Sequence, residues 1–195
     1  MFKKIIFLLL VVASSVGFAK EVDDAFLKKM VENWESLTPP GAYDFIPEKV
    51  SYKLLSDPDF QANLDAAGRK INPLVQGRDI ELAGFMVPIE IQGNSVTKFL
   101  LVPEAGQCIH VPPPPVNQTL LVDMTHNPTK LKDIYDPIIV AGRVDVGVQS
   151  VDISQSITAD TNQDTNGSQS YENIDSGYSL SAATVEELIF KEESK

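Results

Sequence analysis

The first part of the chain, residues 20–76, carries apolar positions with the period of a helix. An aspartate, Asp23 or Asp24, can cap a helix that the TPPG segment at 38–41 ends. The apolar side chains between these signals recur at helical spacing: Phe26, Leu27, Met30, Val31 and Trp34. A second helix is predicted from Asp57 as cap, Pro58 at its first position and Gly68 as a left-handed end.

From residue 77 the apolar period changes to that of a strand. Ile80, Leu82 and Met86 alternate with polar residues up to a turn at 92–95, and a β-rich run follows at 96–102, which predicts a hairpin. Further strands are predicted at 119–124, 138–148 and 178–181. Gly84 and Gly142 are predicted to mark bends in curved strands.

Helices followed by about five strands with short links predict an α+β fold that is mainly β. We expect a small OB-like, closed or nearly closed β-barrel preceded by two N-terminal helices, with a small sandwich as the alternative. Residues 20–195 are predicted to form a single globular domain. It comprises a helical segment at 20–76, a β-rich part at 77–153 and 178–195, and a mobile polar loop at 154–177.

The predicted polar loop contains an alternation of oxygen-bearing side chains, Asp160, Asn162, Asp164 and Asn166, before Gly167. Such residues could suggest a calcium loop. The EF-hand pattern requires glycine and glutamate where this chain has Thr165 and Tyr171, so we favour solvated turns.

The N-terminus has the order of a secretory signal peptide at residues 1–19. Lys3 and Lys4 precede an apolar run that is too short to span a bilayer, and small residues flank Phe18. We therefore expect a periplasmic protein without membrane insertion of the mature chain. The net charge of −11 excludes nucleic acid as an expected partner.

The segment QCIHVPPPPVNQ, residues 107–118, holds the only cysteine, Cys108, two residues before His110. Pro112–Pro115 favour extended geometry in the residues before them and form a stiff left-handed rod. In an extended segment Cys108 and His110 would project to one side and could bind zinc or cuprous copper. His126 or Glu104 is the expected third ligand.

Three other roles for this segment stay open. Cys108 could be a buried, inert side chain, or the nucleophile of a Cys–His thiol enzyme or redox partner. The proline rod could dock into an aromatic groove of another protein. We favour a non-enzymatic binding or accessory role, in which Asn117 and Gln118 hydrogen-bond the loop backbone.

Four segments resemble one bacterial family, catalogued as domain of unknown function 3299: WESLTP, GRDIELAGFMVPIE, FLLVPEAGQCIHVPPPPVNQ and IIVAGRV. The resemblance covers most of the chain after the leader. One departure is the run Glu104–Gln107, where the family commonly has an aromatic residue and Gly-Ala before the cysteine.

The resemblance implies an exported protein or lipoprotein without an established activity. It also implies an association of some members with ABC-type transport systems for metals. We expect ABC transporter components or another periplasmic protein as the partner. Because the chain lacks a cysteine after its apolar leader, we expect the form that is not lipid-anchored.

Overall fold

The computed structural model describes residues 20–21, 23–108, 112–153 and 173–189. Four predictions concern residues that lie wholly or partly outside these ranges: the signal peptide at 1–19, the position of His110, the mobile polar loop over 154–172, and the calcium-like alternation at 160–166 within it.

The described N-terminal part is helical, as predicted. Helix α1 is Asp24–Leu37, α2 is the short Tyr52–Leu55, and α3 is Pro58–Gly68. Asp23 and Asp57 cap α1 and α3, because their carboxylates accept hydrogen bonds from the backbone N–H groups of Phe26 and Phe60. Within the described residues, no helix has the length and apolarity needed to cross a bilayer.

The predicted role of Gly68 as a left-handed helix end is wrong. Gly68 keeps helical geometry and is absent from the positive-φ residues of the described chain. A Cβ at this position would lie 2.8 Å from Cβ of Pro115. Glycine is therefore required by close packing rather than by backbone conformation.

The remaining elements are strands and two 3-10 turns, Pro73–Val75 and Val116–Gln118. The strands are β1 Lys20–Glu21, β2 Asp79–Gln92, β3 Ser95–Val102, β4 Leu120–Asp123, β5 Thr129–Lys130, β6 Ile138–Asp152 and β7 Asn173–Ile189. The hairpin prediction and the strands predicted near 119 and 138 are confirmed. The short β1 and β5 had no sequence signal.

Five of these strands form a ring of hydrogen-bonded neighbours in the order β2–β3–β4–β7–β6, and β6 pairs back with β2. All ring pairings are antiparallel except β4–β7, which is parallel. The protein is mainly β sheet with a few helices, so the coarse fold class is confirmed.

Strand β7 is much longer than the predicted 178–181. Residues 173–177, predicted as loop, begin the strand, and residues 182–189 extend it. The stretch around Glu186 has helix-favouring residues, but its pairing with β6, for example Thr184 with Ala141, imposes a strand.

The interior of the ring is filled by one apolar cluster, to which all five ring strands contribute side chains. Successive strand residues point to opposite faces, so Phe99 and Leu101 of β3 join this cluster while Leu100 and Val102 join a second one outside. Both faces of β3 are therefore buried.

Helix α1 covers a free edge of β2. The first half of β2, Asp79–Gly84, pairs with β6 on one side, whereas β3 joins the other side only from Phe85 onward. Asn33 and Trp34 donate side-chain hydrogen bonds of 2.6 and 2.8 Å to the carbonyls of Glu81 and Ala83 along this edge. Side chains of α1 thus take the place of a neighbouring strand.

The bends predicted at Gly84 and Gly142 have different outcomes. Gly142 lies at a register shift between β6 and β7, as expected for a bend. At Gly84 the strand passes close to its neighbours, because a Cβ there would lie 2.6 Å from the Val102 carbonyl and 3.2 Å from the Trp34 ring.

A buried tyrosine ties the helices to the ring. The hydroxyl of Tyr178 on β7 donates to the carbonyl of Leu37 at the end of α1 and accepts from the backbone N–H of Asn72 at 2.6 Å. The Asn72 amide donates in turn to the Ser36 carbonyl at 2.8 Å. These polar groups are largely buried, so each depends on its partner.

We predict that Tyr178→Phe lowers the free energy of unfolding by about 1–3 kcal/mol, because it leaves the Leu37 carbonyl and the Asn72 N–H buried without this partner. Urea titration followed by circular dichroism measures the change. Tyr135→Phe is the matched control, since Tyr135 is 58% exposed. Equal losses in the two variants would contradict the assigned role of the hydroxyl.

Candidate functional site

The loop that joins β3 to β4 contains the cysteine and the prolines. Cys108 has φ +68°, in the left-handed region, and lies in a turn. The predicted extended conformation is therefore wrong at Cys108. Ile109, His110 and Val111 lie outside the described residues.

The sulfur of Cys108 is enclosed by aliphatic side chains on the outer face of β3, and only 2% of the residue is exposed. Its neighbours in this second cluster are Val87, Leu100, Val102, Val151, Ile153 and Ile174. Desolvation by these side chains raises the pKa of the thiol to about 12. At neutral pH Cys108 is consequently a protonated thiol, which is a poor ligand and a poor nucleophile.

The two candidate third ligands, Glu104 and His126, both lie at exposed positions. Glu104 donates its backbone N–H to the side chain of Gln107 at 3.1 Å, which closes the turn before Cys108. His126 lies beside Asp123, whose carboxyl pKa is lowered mainly by hydrogen bonds from Thr125 and less by His126. In the described part of the chain, no three His, Cys, Asp or Glu side chains come together as a metal site.

The proline rod presents one face outward. Pro112 and Pro115 are exposed, Pro113 is half-buried and Pro114 is buried. A polyproline helix has about three residues per turn, so Pro112 and Pro115 share a side. The observed exposure matches that period, with Pro114 facing the domain.

The rod is packed tightly on α3. Cβ of Pro115 faces the backbone of Gly68. Just after the rod, the amide nitrogen of buried Asn117 donates to the carbonyls of Ala67 and Lys70, each at 3.1 Å. Ala67 lies in the last turn of α3 and Lys70 just after its end, so Asn117 supplies an additional donor where the helix finishes. The loop thus caps the helix.

The side chains of Asn117 and Gln118 donate hydrogen bonds to residues in and next to the helices, and not to the backbone of their own loop. Gln118 donates to the Thr38 hydroxyl at 3.1 Å, next to the end of α1. The predicted contacts with the loop backbone are therefore replaced by contacts across the domain. Asn117 Oδ1 is buried and has no hydrogen-bond partner within the described residues.

A cleft of about 530 Å³ runs beside the rod, between α3 and the start of β7. Its walls are Tyr43, Leu64, Asp65, Gly68, Arg69, Pro113, Pro114, Pro115, Val116, Asn173, Ile174 and Asp175. An ion pair between Arg69 and Asp175, 3.2 Å long, joins its two sides. Ile174 belongs both to this cleft and to the cluster around Cys108.

Sequence patterns did not identify Tyr43, Arg69 or Asp175 as parts of the site. They lie far from the motif in sequence, and only the fold brings them to the cleft beside the rod. The one available signal was Gly68, because a glycine within a helix often has a packing reason.

We predict that Cys108 reacts with iodoacetamide at neutral pH much more slowly than a free thiol, at a rate set by opening of the fold. The folded protein keeps the thiol proton to higher pH than the unfolded chain, whose thiol pKa is about 8.5. The raised thiol pKa therefore makes the free energy of unfolding depend on pH. Its stabilising effect is fully present below about pH 8.5 and is lost as the pH rises toward 12.

Mass spectrometry of the alkylated protein measures the labelling rate. The control is Lys53→Cys in a Cys108→Ala background, because residue 53 is exposed on α2 and its thiol should label at the free rate. Rapid labelling of Cys108 in the folded protein would contradict its burial.

Comparison with known proteins gives one family and one solved structure. The family model described as protein of unknown function DUF3299 matches residues 34–187. A crystal structure of a DUF3299 family protein from Pseudomonas aeruginosa PAO1 is similar, with 27% sequence identity and a TM-score of 0.51 over 90% of this chain and 100% of that one. No curated protein matches. The chain therefore belongs to the DUF3299 family, which confirms the resemblance seen in its motifs.

Proposed function

We propose that this protein is a non-enzymatic periplasmic binding or accessory protein, and that its binding edge is the proline rod together with the neighbouring cleft. The observation that carries the proposal is the outward face formed by Pro112 and the exposed part of Pro115, on a rod whose Pro115 Cβ is anchored against Gly68 of α3. A rigid apolar ridge loses little conformational entropy on binding.

The chemistry around Cys108 supports a binding role over a catalytic one. A Cys–His nucleophile needs an accessible thiolate, whereas this sulfur is enclosed and keeps its proton. The polar residues of the segment, Asn117 and Gln118, are engaged with α3 and Thr38. They hold the rod in place and leave its outer face to a partner.

The chemistry of the edge favours a protein partner that offers aromatic side chains. Aromatic rings pack against proline rings in polyproline recognition, and Tyr43 in the cleft adds a ring on this side. The Arg69–Asp175 pair provides one cation and one anion at the rim for orienting polar contacts. A component of an ABC-type transport system is the partner class that the family resemblance suggests.

We also propose that the ring is OB-like. Numbered along the chain, its strands pair in the order 1-2-3-5-4-1, and the parallel pair is the third with the fifth. OB folds bind ligands on strands two and three and on the loops after strands one and four. The cleft supports this proposal, because it is lined by Asn173, the first residue of the fifth ring strand. Asn173 therefore comes directly after the loop that follows strand four, which is a binding loop in OB folds. Superposition of a crystal structure of this protein on OB-fold domains tests it.

We predict that a photo-crosslinking residue at position 112 captures one specific partner in cells that produce the protein natively. The reason is that Pro112 is exposed on the outward face. Denaturing gels and mass spectrometry identify the adduct. Adding Pro113→Ala and Pro115→Ala, which loosen the rod, should reduce the yield several-fold.

The same crosslinker at Lys53 is the control, because Lys53 is exposed and does not line the cleft. The melting temperature of each variant is measured in parallel to separate loss of binding from loss of fold. An identical set of adducts from positions 112 and 53, or a yield that the alanine variants leave unchanged, would contradict docking through the rod.

Zinc or cuprous copper bound by Cys108 and His110 stays a second hypothesis. The aliphatic surroundings of the sulfur do not fit a metal ligand, so binding would require the turn at Cys108 to open. The hypothesis predicts that metal content, measured by mass spectrometry after loading, falls in Cys108→Ser and in His110→Ala. Equal metal content in wild type and both variants would refute it.

A further inference from the structure

A second cleft lies on another part of the ring, between α1 and the point where β6 bends. Its volume is about 720 Å³. The walls come from α1, β2 with the residue before it, β6 and β7: Lys29, Asn33, Arg78, Asp79, Ile80, Glu81, Ala141, Gly142, Arg143, Ser181 and Thr184. None of these residues lines the cleft beside the proline rod.

The cleft has more positive than negative side chains, in a protein whose net charge is −11. Lys29 pairs with Glu81 at 2.8 Å, and Arg143 pairs with Asp79 at 3.5 Å. Arg78 is the third cation. Within the described residues its guanidinium has no ion pair or hydrogen bond, so one permanent positive charge is unmatched.

The backbone around Arg78 is held firmly. Its carbonyl accepts from the Val144 N–H at 2.9 Å, and its own N–H donates to the Val75 carbonyl at 3.1 Å. The adjacent Gly77 N–H donates to the Val144 carbonyl at 2.7 Å. Arg78 therefore lines the cleft from a fixed backbone, so ligand binding has to order only its side chain.

The carboxylate of nearby Asp145 is already engaged. It accepts from the Gln76 side chain at 3.0 Å and from the Ser181 hydroxyl at 3.4 Å. The Gln76 amide nitrogen is the donor to Asp145, and its oxygen accepts from the Val146 N–H at 2.7 Å. Asp145 is thus held by neutral donors, keeps its negative charge, and does not line the cleft.

The floor of the cleft is a β-bulge. Gly142 is opposed by two residues of β7, 182 and 183, where the β6–β7 register shifts between Ala141 and Arg143. Bulges of this kind are common beside binding sites, because they redirect neighbouring side chains. Here the bulge separates Ser181 from Thr184, which both line the cleft.

We propose that this cleft binds a small ligand through one phosphate or carboxylate group, with Arg78 as the principal contact. A guanidinium offers paired N–H donors that match the two oxygens of such a group. Arg143 is a second donor, since its pair with Asp79 is exposed on both sides and weak. Among the residues that line the cleft there is one more cation than anion, which fits a ligand with one anionic group.

The test is a titration of the ¹⁵N-labelled protein at low ionic strength with inorganic phosphate and, separately, with acetate. We expect saturable amide shifts at residues 78–81 and 141–143, with a Kd of about 1 mM for the better probe. Preference for phosphate assigns a phosphorylated ligand, and preference for acetate assigns a carboxylate.

Arg78→Gln should weaken binding about ten-fold or more, and Arg78→Lys by less, because lysine keeps the charge and loses the paired donors. Lys53→Gln makes the same change in net charge outside the cleft and should leave binding unchanged. The absence of saturable shifts with both probes, or equal weakening by Lys53→Gln, would overturn the proposal.

Discussion

Closure of the strand ring is the constraint on which the rest of the structure depends. The short β4 connects the two sides of the ring through its parallel pairing with β7, so the neighbouring strands must be long and bent to complete the circle. β2 changes partners from β6 to β3 near Gly84, and β6 and β7 shift register twice. Each change of partner leaves either an uncovered edge or a bulge. Helix α1 lies at the uncovered edge of β2, and the cleft lined by Gly142 lies at a bulge.

The N-terminal helices have a structural task that follows from this closure. The first half of β2 would expose unpaired carbonyls, and side chains of α1 satisfy two of them. Tyr178 and Asn72 bury a small polar network where α1 meets the ring. A network of this kind fixes one arrangement of helix and sheet, because sliding would leave several polar groups without partners.

The motif around Cys108 separates into parts with different physical roles. Cys108 fills the outer cluster of β3, Asn117 caps α3, and Gln118 reaches Thr38. What these contacts leave exposed is the face of Pro112 and Pro115. The sequence of this segment suggests a reactive site, but its described polar and thiol groups hold the loop against the domain. The surface that they leave exposed is apolar and rigid. That surface is the binding edge proposed above.

The sequence by itself determined the elements whose signals are local. Asp23 and Asp57 as caps, the turn at 92–95 and the alternation from Ile80 needed only neighbouring residues to be recognised. The tertiary structure decided the rest. Helix-favouring residues of β7 became a strand because β6 supplied the hydrogen bonds, and Cys108 turned inward because the outer face of β3 needed an apolar cover. Both clefts combine residues far apart in sequence, whose proximity depends on ring closure and leaves no trace in any local pattern.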